Sequence, residues 1–269
     1  MKVCRLFLTA LPILSGACCF IGGPVVPTED VHEVQDSLTV KDTIYGHLSI
    51  KPDKAIRNLD ILVYGGSPLL TLESHINADQ TELKLELKDS LPKTIAVLAN
   101  MPGKLNDEAF RHYDSLEQLE MRLEEDNPDC PFMSGTASLE AGSIGVVQLT
   151  PLLCCVLIQS ITNMNDGDVL LENPRARLTG ISTRAPLMKQ YGFTLQDPNE
   201  TDTVRLPYDI GLYTQYPNIR LYCYPSDMPG TEAPRLILEY TKEGAQCSFS
   251  AEVFPLSRNC IAPLDLYLR

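Results

Sequence analysis

The stretch ELKLELK, residues 82–88, alternates leucine with charged side chains at every position. Successive side chains of a β-strand point to opposite faces, so Leu83, Leu85 and Leu87 share one face and the charges share the other. This period of two predicts a strand with one buried and one solvated face. It is typical of an antiparallel sheet that covers a core on one side only.

Similar segments flank this strand in the first half of the chain. Upstream, residues 38–50 alternate in the same way, and NLDILVY (58–64) carries three branched apolar residues on one face. Downstream, TIAVLANM (94–101) is almost uniformly apolar, which favours a central strand buried on both faces. We therefore expect a sheet rather than isolated hairpins.

The strand pattern begins again near the middle of the chain. VVQLTPLLCCVLIQSI (146–161) is followed by NDGD (165–168) and then by DVLLENPRARLTGI (168–181). An Asp-Gly step between two apolar runs predicts a tight hairpin turn. Short strands then recur with turns every 8–12 residues, which predicts two β-sandwich domains, at 37–148 and 149–269.

One segment of the first half has helical spacing instead. Between residues 106 and 124 the apolar side chains recur at steps of three or four, which predicts one amphipathic helix that packs on a sheet. The stripe consists of Phe110, Tyr113, Leu116, Leu119 and Leu123. The predicted fold class is thus all-β, two tandem β-sandwich domains with one helix in the first.

Composition agrees with this fold class and excludes one kind of partner. The chain has 269 residues, of which 20 are proline and none is tryptophan, and this argues against a helical bundle. With 35 acidic and 22 basic side chains its net charge is −13. Nucleic acid is therefore not an expected partner, because phosphate binding needs clustered Lys and Arg.

The first residues predict export. Lys2 and Arg5 precede the short apolar run Leu6–Leu14, and the small residues 15–17 suit a signal peptidase. We therefore expect a signal peptide at 1–17. The Pro- and Gly-rich residues 18–36 then form a tether.

A cysteine follows the small residues directly. Gly16, Ala17 and Cys18 resemble a bacterial lipobox, in which the thiol is acylated and becomes the new N-terminus, although Ser15 stands where that pattern usually has leucine. Cys18 is the predicted lipid site, and Cys19 is the alternative. An ordinary secretory peptide with two incidental cysteines is the other interpretation. Acylation would anchor the protein in a membrane.

No motif in the chain points to catalysis, a metal or a cofactor. The cysteines form no CxxC pair and have no histidine at ligand spacing, so we expect those in apolar runs to act as small hydrophobes. The four histidines are scattered, and neither a GxSxG sequence nor a phosphate-binding glycine loop is present. We expect neither enzymatic activity nor a small-molecule substrate.

Several segments, taken in order, resemble the fimbrillin and fimbrial-anchor lipoproteins of Bacteroidales, which build type V pili. Each segment is short, and their order and spacing carry the resemblance. They are NLDILVY (58–64), TIAVLANMPG (94–103), DSLEQLEMRLEEDNP (114–128), FMSG (132–135), VQLTPLLCCVLIQSITN (147–163) and RNCIAPLDLYL (258–268).

This resemblance implies two transthyretin-like sandwiches, delivery to the outer membrane as a lipoprotein, and partners that are other fimbrial subunits. In that family stalk subunits lose a leading strand to an Arg/Lys-specific protease, and the groove accepts a strand from the next subunit. Anchor subunits keep lipid and strand. Strand addition gives tight assembly through main-chain hydrogen bonds.

The role within a pilus rests on the loop KPDKAIRN (51–58). Arg57 is the possible processing site, with Lys51 and Lys54 as weaker ones, while the short chain favours an anchor or accessory subunit. The alternative function is a surface lipoprotein that does not polymerise and binds a glycan or host ligand. Its platform would be the tyrosines of residues 208–224, which equally suit a sheet core.

Overall fold

The computed structural model describes residues 43–165, 169–194, 198–226, 233–253 and 255–269, and it confirms the all-β prediction. The signal peptide, the tether with Cys18 and Cys19, and the Gly-containing turn at 166–168 lie outside these residues. Among the described residues, helices are too short and too polar to cross a bilayer.

The first half forms one seven-stranded sheet with the order β3-β2-β5-β7-β8-β1-β4. β7 and β8 pair only near Met133 and Ser134, so the sheet turns there and its two parts face each other. The strands are β1 (Ile44–Pro52), β2 (Leu59–Gly65), β3 (Thr71–Ala78), β4 (Glu82–Leu87), β5 (Lys93–Ala99), β7 (Met133–Leu139) and β8 (Ile144–Pro151).

The second half contains two larger sheets. One has the order β14-β9-β17, and the other has the order β12-β10-β15-β16 with β13 also paired to β10. The strands are β9 (Cys154–Asn163), β10 (Leu171–Ile181), β12 (Asn199–Glu200), β13 (Val204–Arg205), β14 (Tyr213–Cys223), β15 (Arg235–Lys242), β16 (Ala245–Glu252) and β17 (Ile261–Leu268). A small two-stranded sheet joins β6 (Glu120–Arg122) and β11 (Arg184–Pro186).

Three apolar clusters hold these sheets together. The first lies inside the seven-stranded sheet, and the second lies between the two sheets of the second half. The third covers the outer face of β2 and β5, so both strands are buried on both faces, which explains their uniformly apolar sequences. It contains residues from both sides of position 149, where the division into two domains stays a prediction.

The predicted helix over residues 106–124 is wrong in length. Only α1 (Tyr113–Glu117) is α-helical, followed by β6 and the 3-10 helix Leu123–Glu125. The stripe still faces the third cluster, but the backbone pairs with strands instead: His112 bridges Thr71, and β6 pairs with β11. Tertiary pairing has replaced the local hydrogen bonds that the spacing predicted.

The predicted hairpin around NDGD (165–168) is also wrong. The strands on either side of it, β9 and β10, belong to different sheets instead of pairing with each other. Asn163 stabilises the exit from β9, because its Nδ2 donates to the carbonyl of Val169 at 2.7 Å and its Oδ1 accepts from the backbone N–H of Asn165. β9 and β10 thus contribute to the second cluster from two different sheets.

Candidate strand-exchange site

β1 is an inner strand of the seven-stranded sheet, although it lies at the start of the described chain. It pairs in parallel with β8 on one side and antiparallel with β4 on the other. β4 is the edge strand, and its outer face carries the charges of ELKLELK, which protect the edge from other strands. Removal of β1 would therefore separate β4 from the rest of its sheet.

The inward side of β1 is packed as closely as a domain core. Leu48 and Ile50 are 1% and 3% exposed and belong to the first cluster. A Cβ added at Gly46 would lie 2.8 Å from a methyl carbon of Leu139, so a larger residue there would require the Leu139 side chain to shift. The outward side chain of Tyr45 lies under the ammonium of Lys84, 3.6 Å from the ring centre.

The loop after β1 contains the predicted processing site. Arg57 is exposed, as are Lys51 and Lys54. The backbone of the loop is held by Asn100, whose Oδ1 accepts from the N–H of Arg57 at 2.7 Å and whose Nδ2 donates to the carbonyl of Ala55 at 2.9 Å. A protease needs an extended segment, so cleavage at Arg57 requires that these bonds open. Processing there stays a prediction.

Asn100 is a positioning residue that the sequence did not reveal. It is buried, and its φ of 65° is in the left-handed region that asparagine tolerates better than most residues. Its Nδ2 also donates to the carbonyl of Pro131 at 2.7 Å, so one side chain ties the loop after β1 to the segment that leads into β7. The apolar run TIAVLANM that contains it predicted only a strand.

The other end of the chain provides an open edge. β17 pairs in parallel with β9, and within the described ranges it has no strand on its other side. Leu266 and Leu268 face the second cluster, while Ile261 and Tyr267 are exposed. Unlike β4, this edge presents apolar side chains to solvent.

Arg258 fixes the segment that leads into β17. Its side chain is buried, and it donates five hydrogen bonds of 2.5–3.3 Å to oxygens of the first half and of the segment after β11. Burial lowers the pKa of Arg258 to about 10. The acceptors are the carbonyls of Thr150, Pro151, Leu187 and Lys189 and the hydroxyl of Ser134. The sequence showed an Arg-Asn pair here but not its burial.

The tyrosines of residues 208–224 do not form one platform. Tyr216 and Tyr224 are fully buried, and the hydroxyl of Tyr216 donates to the carbonyl of Tyr208 at 2.9 Å. Tyr208 and Tyr213 are 61% and 58% exposed, so only these two present most of their surface. The core interpretation therefore holds for Tyr216 and Tyr224.

Tyr224 lies beside a buried carboxyl group. Burial raises the pKa of Asp126 to about 6, and it also raises the pKa of Tyr224. The carboxyl oxygen Oδ1 of Asp126 accepts from the backbone N–H of Phe132 at 3.0 Å. Asp126 thus links the residues after the 3-10 helix to the segment that leads into β7.

A cleft of about 700 Å³ opens near β6 and β11. Three arginines line it, and two of them, Arg122 and Arg184, face each other directly across these strands, while Arg220 comes from β14. Arg122 also forms an ion pair with Glu124, at 3.6 Å between Nη1 and Oε1. The same cleft also contains Glu124, Glu200 and Asp202. In the described ranges, no group of three His, Cys, Asp or Glu residues could hold a metal.

Comparisons with known proteins identify the fold. No protein-family model matches the chain, and no curated protein matches it either. Among solved structures, a candidate cell adhesion protein from Parabacteroides distasonis has a TM-score of 0.65 at 13% identity over 80% of each chain. Another from Bacteroides eggerthii has a TM-score of 0.59 at 12% identity, covering 84% of this chain and 86% of that one. A fimbrilin from Porphyromonas gingivalis has a TM-score of 0.53 at 13% identity, covering 78% and 80%.

This chain has the fold of these Bacteroidales fimbrial and adhesion proteins. The match covers about four-fifths of both chains, and neither half of this chain is that long. The similarity therefore includes both the seven-stranded sheet and the sheets of the second half. At 13% identity the likeness is one of backbone architecture. The fimbrillin-like fold was expected from the order of the short motifs, and the comparisons confirm it.

Proposed function

We propose that the chain is a subunit of a surface fimbria that supports cell adhesion, in the role of an anchor or accessory subunit. Lipid on Cys18 would hold it in the outer membrane, and β-strand addition would join it to other fimbrial subunits. The observation that carries the proposal is the position of β1, an N-terminal strand inserted between β4 and β8 and followed by an exposed basic loop. The fimbrilin-like fold supports it.

The position of β1 has the properties that strand exchange requires. If the strand left, β4 and β8 would each lose a row of main-chain partners, and the buried sites of Leu48 and Ile50 would become empty. Each of these side chains stabilises the fold by about 1.5–3 kcal/mol through burial. A strand from another subunit would regain most of this free energy with a small residue opposite Leu139 and apolar residues two and four positions later.

As long as an anchor keeps β1, a neighbouring subunit needs a different edge. β17 offers one, because its outer side is open in the described structure and its exposed Ile261 and Tyr267 add apolar contact area. The segment before it is held by the hydrogen bonds of Arg258. Addition of a strand beside β17 would therefore use a template that is already ordered.

Mass spectrometry of the mature N-terminus, taken separately from outer membranes and from sheared surface fibres, tests the proposal. An anchor or accessory subunit should be acylated on Cys18, keep β1 and copurify with other fimbrial subunits. An N-terminus at Asn58 in lipid-free fibre protein would show that it is a polymerising stalk subunit instead. Arg57→Ala should abolish that product, whereas Lys54→Ala, in the same exposed loop, should leave it unchanged.

A surface lipoprotein that does not polymerise is the second candidate function. The cleft of about 700 Å³ supports it, because its three arginines and three carboxylates offer both hydrogen-bond donors and acceptors to the hydroxyl groups of a glycan. Binding to a glycan array that is lost in Arg184→Ala, in a protein that never copurifies with fimbrial subunits, would favour this function. The control is Arg205→Ala, on an exposed strand outside the cleft.

A further inference from the structure

Three cysteines lie side by side across the sheet β14-β9-β17. Cys154 begins β9 and Cys223 ends β14, and the antiparallel register pairs the two directly. On the other side of β9, Ile261 is the partner of Cys155, so Cys260 stands one position earlier, beside Cys154. The register therefore places Cys154 between the other two cysteines. We call Cys223, Cys154 and Cys260 the cysteine row.

The three thiols differ in their access to solvent. Cys154 and Cys223 are completely buried in the second cluster. Cys260 is half-buried and lines a cavity of about 300 Å³ that Lys54 and Arg220 also line. Cys154 and Cys155 also line this cavity, but Cys260 is the most exposed thiol of the row, so an oxidant that enters there meets Cys260 first.

Hydrogen bonding makes Cys260 the reactive thiol of the row. The neighbouring Cys154 side chain and nearby backbone N–H groups, opposed by burial, lower the pKa of Cys260 to about 7. The two neighbouring thiols, together with burial, raise the pKa of Cys154. At neutral pH a large fraction of Cys260 is thus the thiolate, which is the nucleophile in thiol–disulfide exchange.

We propose that Cys260 and Cys154 form a disulfide that fastens the start of β17 to β9 after export. The oxidant is a disulfide, on a small molecule or on an extracytoplasmic oxidase. The Cys260 thiolate attacks one sulfur of that disulfide and releases the other as a thiolate. Cys154 then loses its proton and attacks the Cys260 sulfur of the mixed disulfide, which releases the second thiol. The protein loses two hydrogens and the oxidant gains them.

Geometry selects Cys154 as the resolving thiol. Cys223 pairs with Cys154 from the far side of β9, so Cys154 stands between Cys223 and the mixed disulfide. Cys155 is next to Cys154 in sequence but points to the opposite face of the strand. The bond would close a loop of about 100 residues, which constrains the unfolded chain strongly.

The test oxidises the full mature protein with glutathione disulfide, alkylates the remaining thiols and maps the peptides by mass spectrometry. The intact mass should fall by about 2 Da, the mass of two hydrogens, and one crosslinked peptide should join Cys154 to Cys260. Oxidation should raise Tm by roughly 5–10 °C, as expected for a bond that closes so long a loop. Cys260→Ser should abolish both effects.

Two matched variants separate this bond from other thiol chemistry. Cys247→Ser changes a half-exposed cysteine in the other sheet, and Cys155→Ser removes the neighbour in the cavity wall. Both should keep the crosslink and the rise in Tm. A crosslink between Cys154 and Cys223, a crosslink that survives Cys260→Ser, or a protein that stays fully reduced in glutathione disulfide would overturn the proposal.

Discussion

Arg258 should be one of the most sensitive positions for stability, although it lies in a loop. Arg258→Met keeps much of the side-chain volume and removes all five hydrogen bonds, so it isolates the polar contribution. The acceptors it leaves belong to β7, to the end of β8 and to the segment after β11. The variant thus removes the one side chain that connects these three parts to the entry of β17.

The expected loss in the free energy of unfolding is the difference between two opposing contributions. Hydrogen bonds that a charged group makes contribute about 1.5–3 kcal/mol each, so a simple sum for five would equal the whole stability of a typical domain. Desolvation opposes them, because burial lowers the pKa of Arg258 to about 10, which means that the environment disfavours the charge. We therefore expect a net loss of about 3–5 kcal/mol, the range measured when one partner of a buried charged network is removed.

Urea unfolding at pH 7, followed by circular dichroism, measures this loss from the shift of the midpoint at constant m-value. Arg258→Lys should recover part of it, since an ammonium has three donors but no planar fork. Arg205→Met is the matched control, because Arg205 is exposed and makes a single bond to Asn173, and it should change stability by less than about 0.5 kcal/mol. A loss below about 1 kcal/mol in Arg258→Met would refute the reasoning.

Three further variants test other parts of the structure. Gly135→Ala should prevent folding or strongly lower the Tm of the protein, because the new Cβ would lie 2.2 Å from the backbone carbonyl oxygen of Gln148. A normal Tm would show that β7 and β8 separate easily at this point. Gly46→Val should lower stability by more than about 2 kcal/mol in urea through its clash with Leu139, and a neutral effect would contradict the close packing of Leu139 against β1. Burial raises the pKa of Asp126 to about 6, so the folded protein keeps a proton that the unfolded chain loses near pH 4. Stability should therefore fall by about 3 kcal/mol as pH rises from about 3 to about 7, and a profile that Asp126→Asn does not flatten would contradict this.

Local alternation was a reliable guide where one face of a strand meets water, and less informative elsewhere. ELKLELK predicted β4 because its edge position leaves one face solvated. The helix predicted for residues 106–124 was wrong because the apolar stripe that faces the third cluster happens to have helical spacing. The backbone of this segment pairs with a strand far away in the sequence instead. Arg122, for example, pairs with Arg184, more than sixty positions later. Pairing across such a distance leaves no periodic trace in the sequence.

The residues of the candidate site also fall into two groups, those that the sequence predicts and those that it does not. Arg57 could be found from its sequence, because an exposed basic residue in a polar loop is a local property. Asn100 and Arg258 could not, because their roles depend on which carbonyl groups other segments leave unpaired around them. A buried polar side chain in a loop becomes recognisable only when its acceptors are known.

The two ends of the described chain differ in how firmly they are held, and this difference bears on assembly. The loop before β17 is fixed by the buried Arg258, by the Asn259 N–H, which donates to Leu153, and by the Cys154 thiol, which donates to the carbonyl of Ser257 at 2.9 Å. The loop after β1 is exposed and held mainly through Asn100. Opening of the loop before β17 therefore breaks a buried hydrogen-bond network, whereas opening of the loop after β1 breaks only a few hydrogen bonds. If the chain is processed as a stalk subunit, β1 is the strand expected to leave. In the proposed anchor or accessory role β1 stays, and β17 is the edge expected to serve as the template.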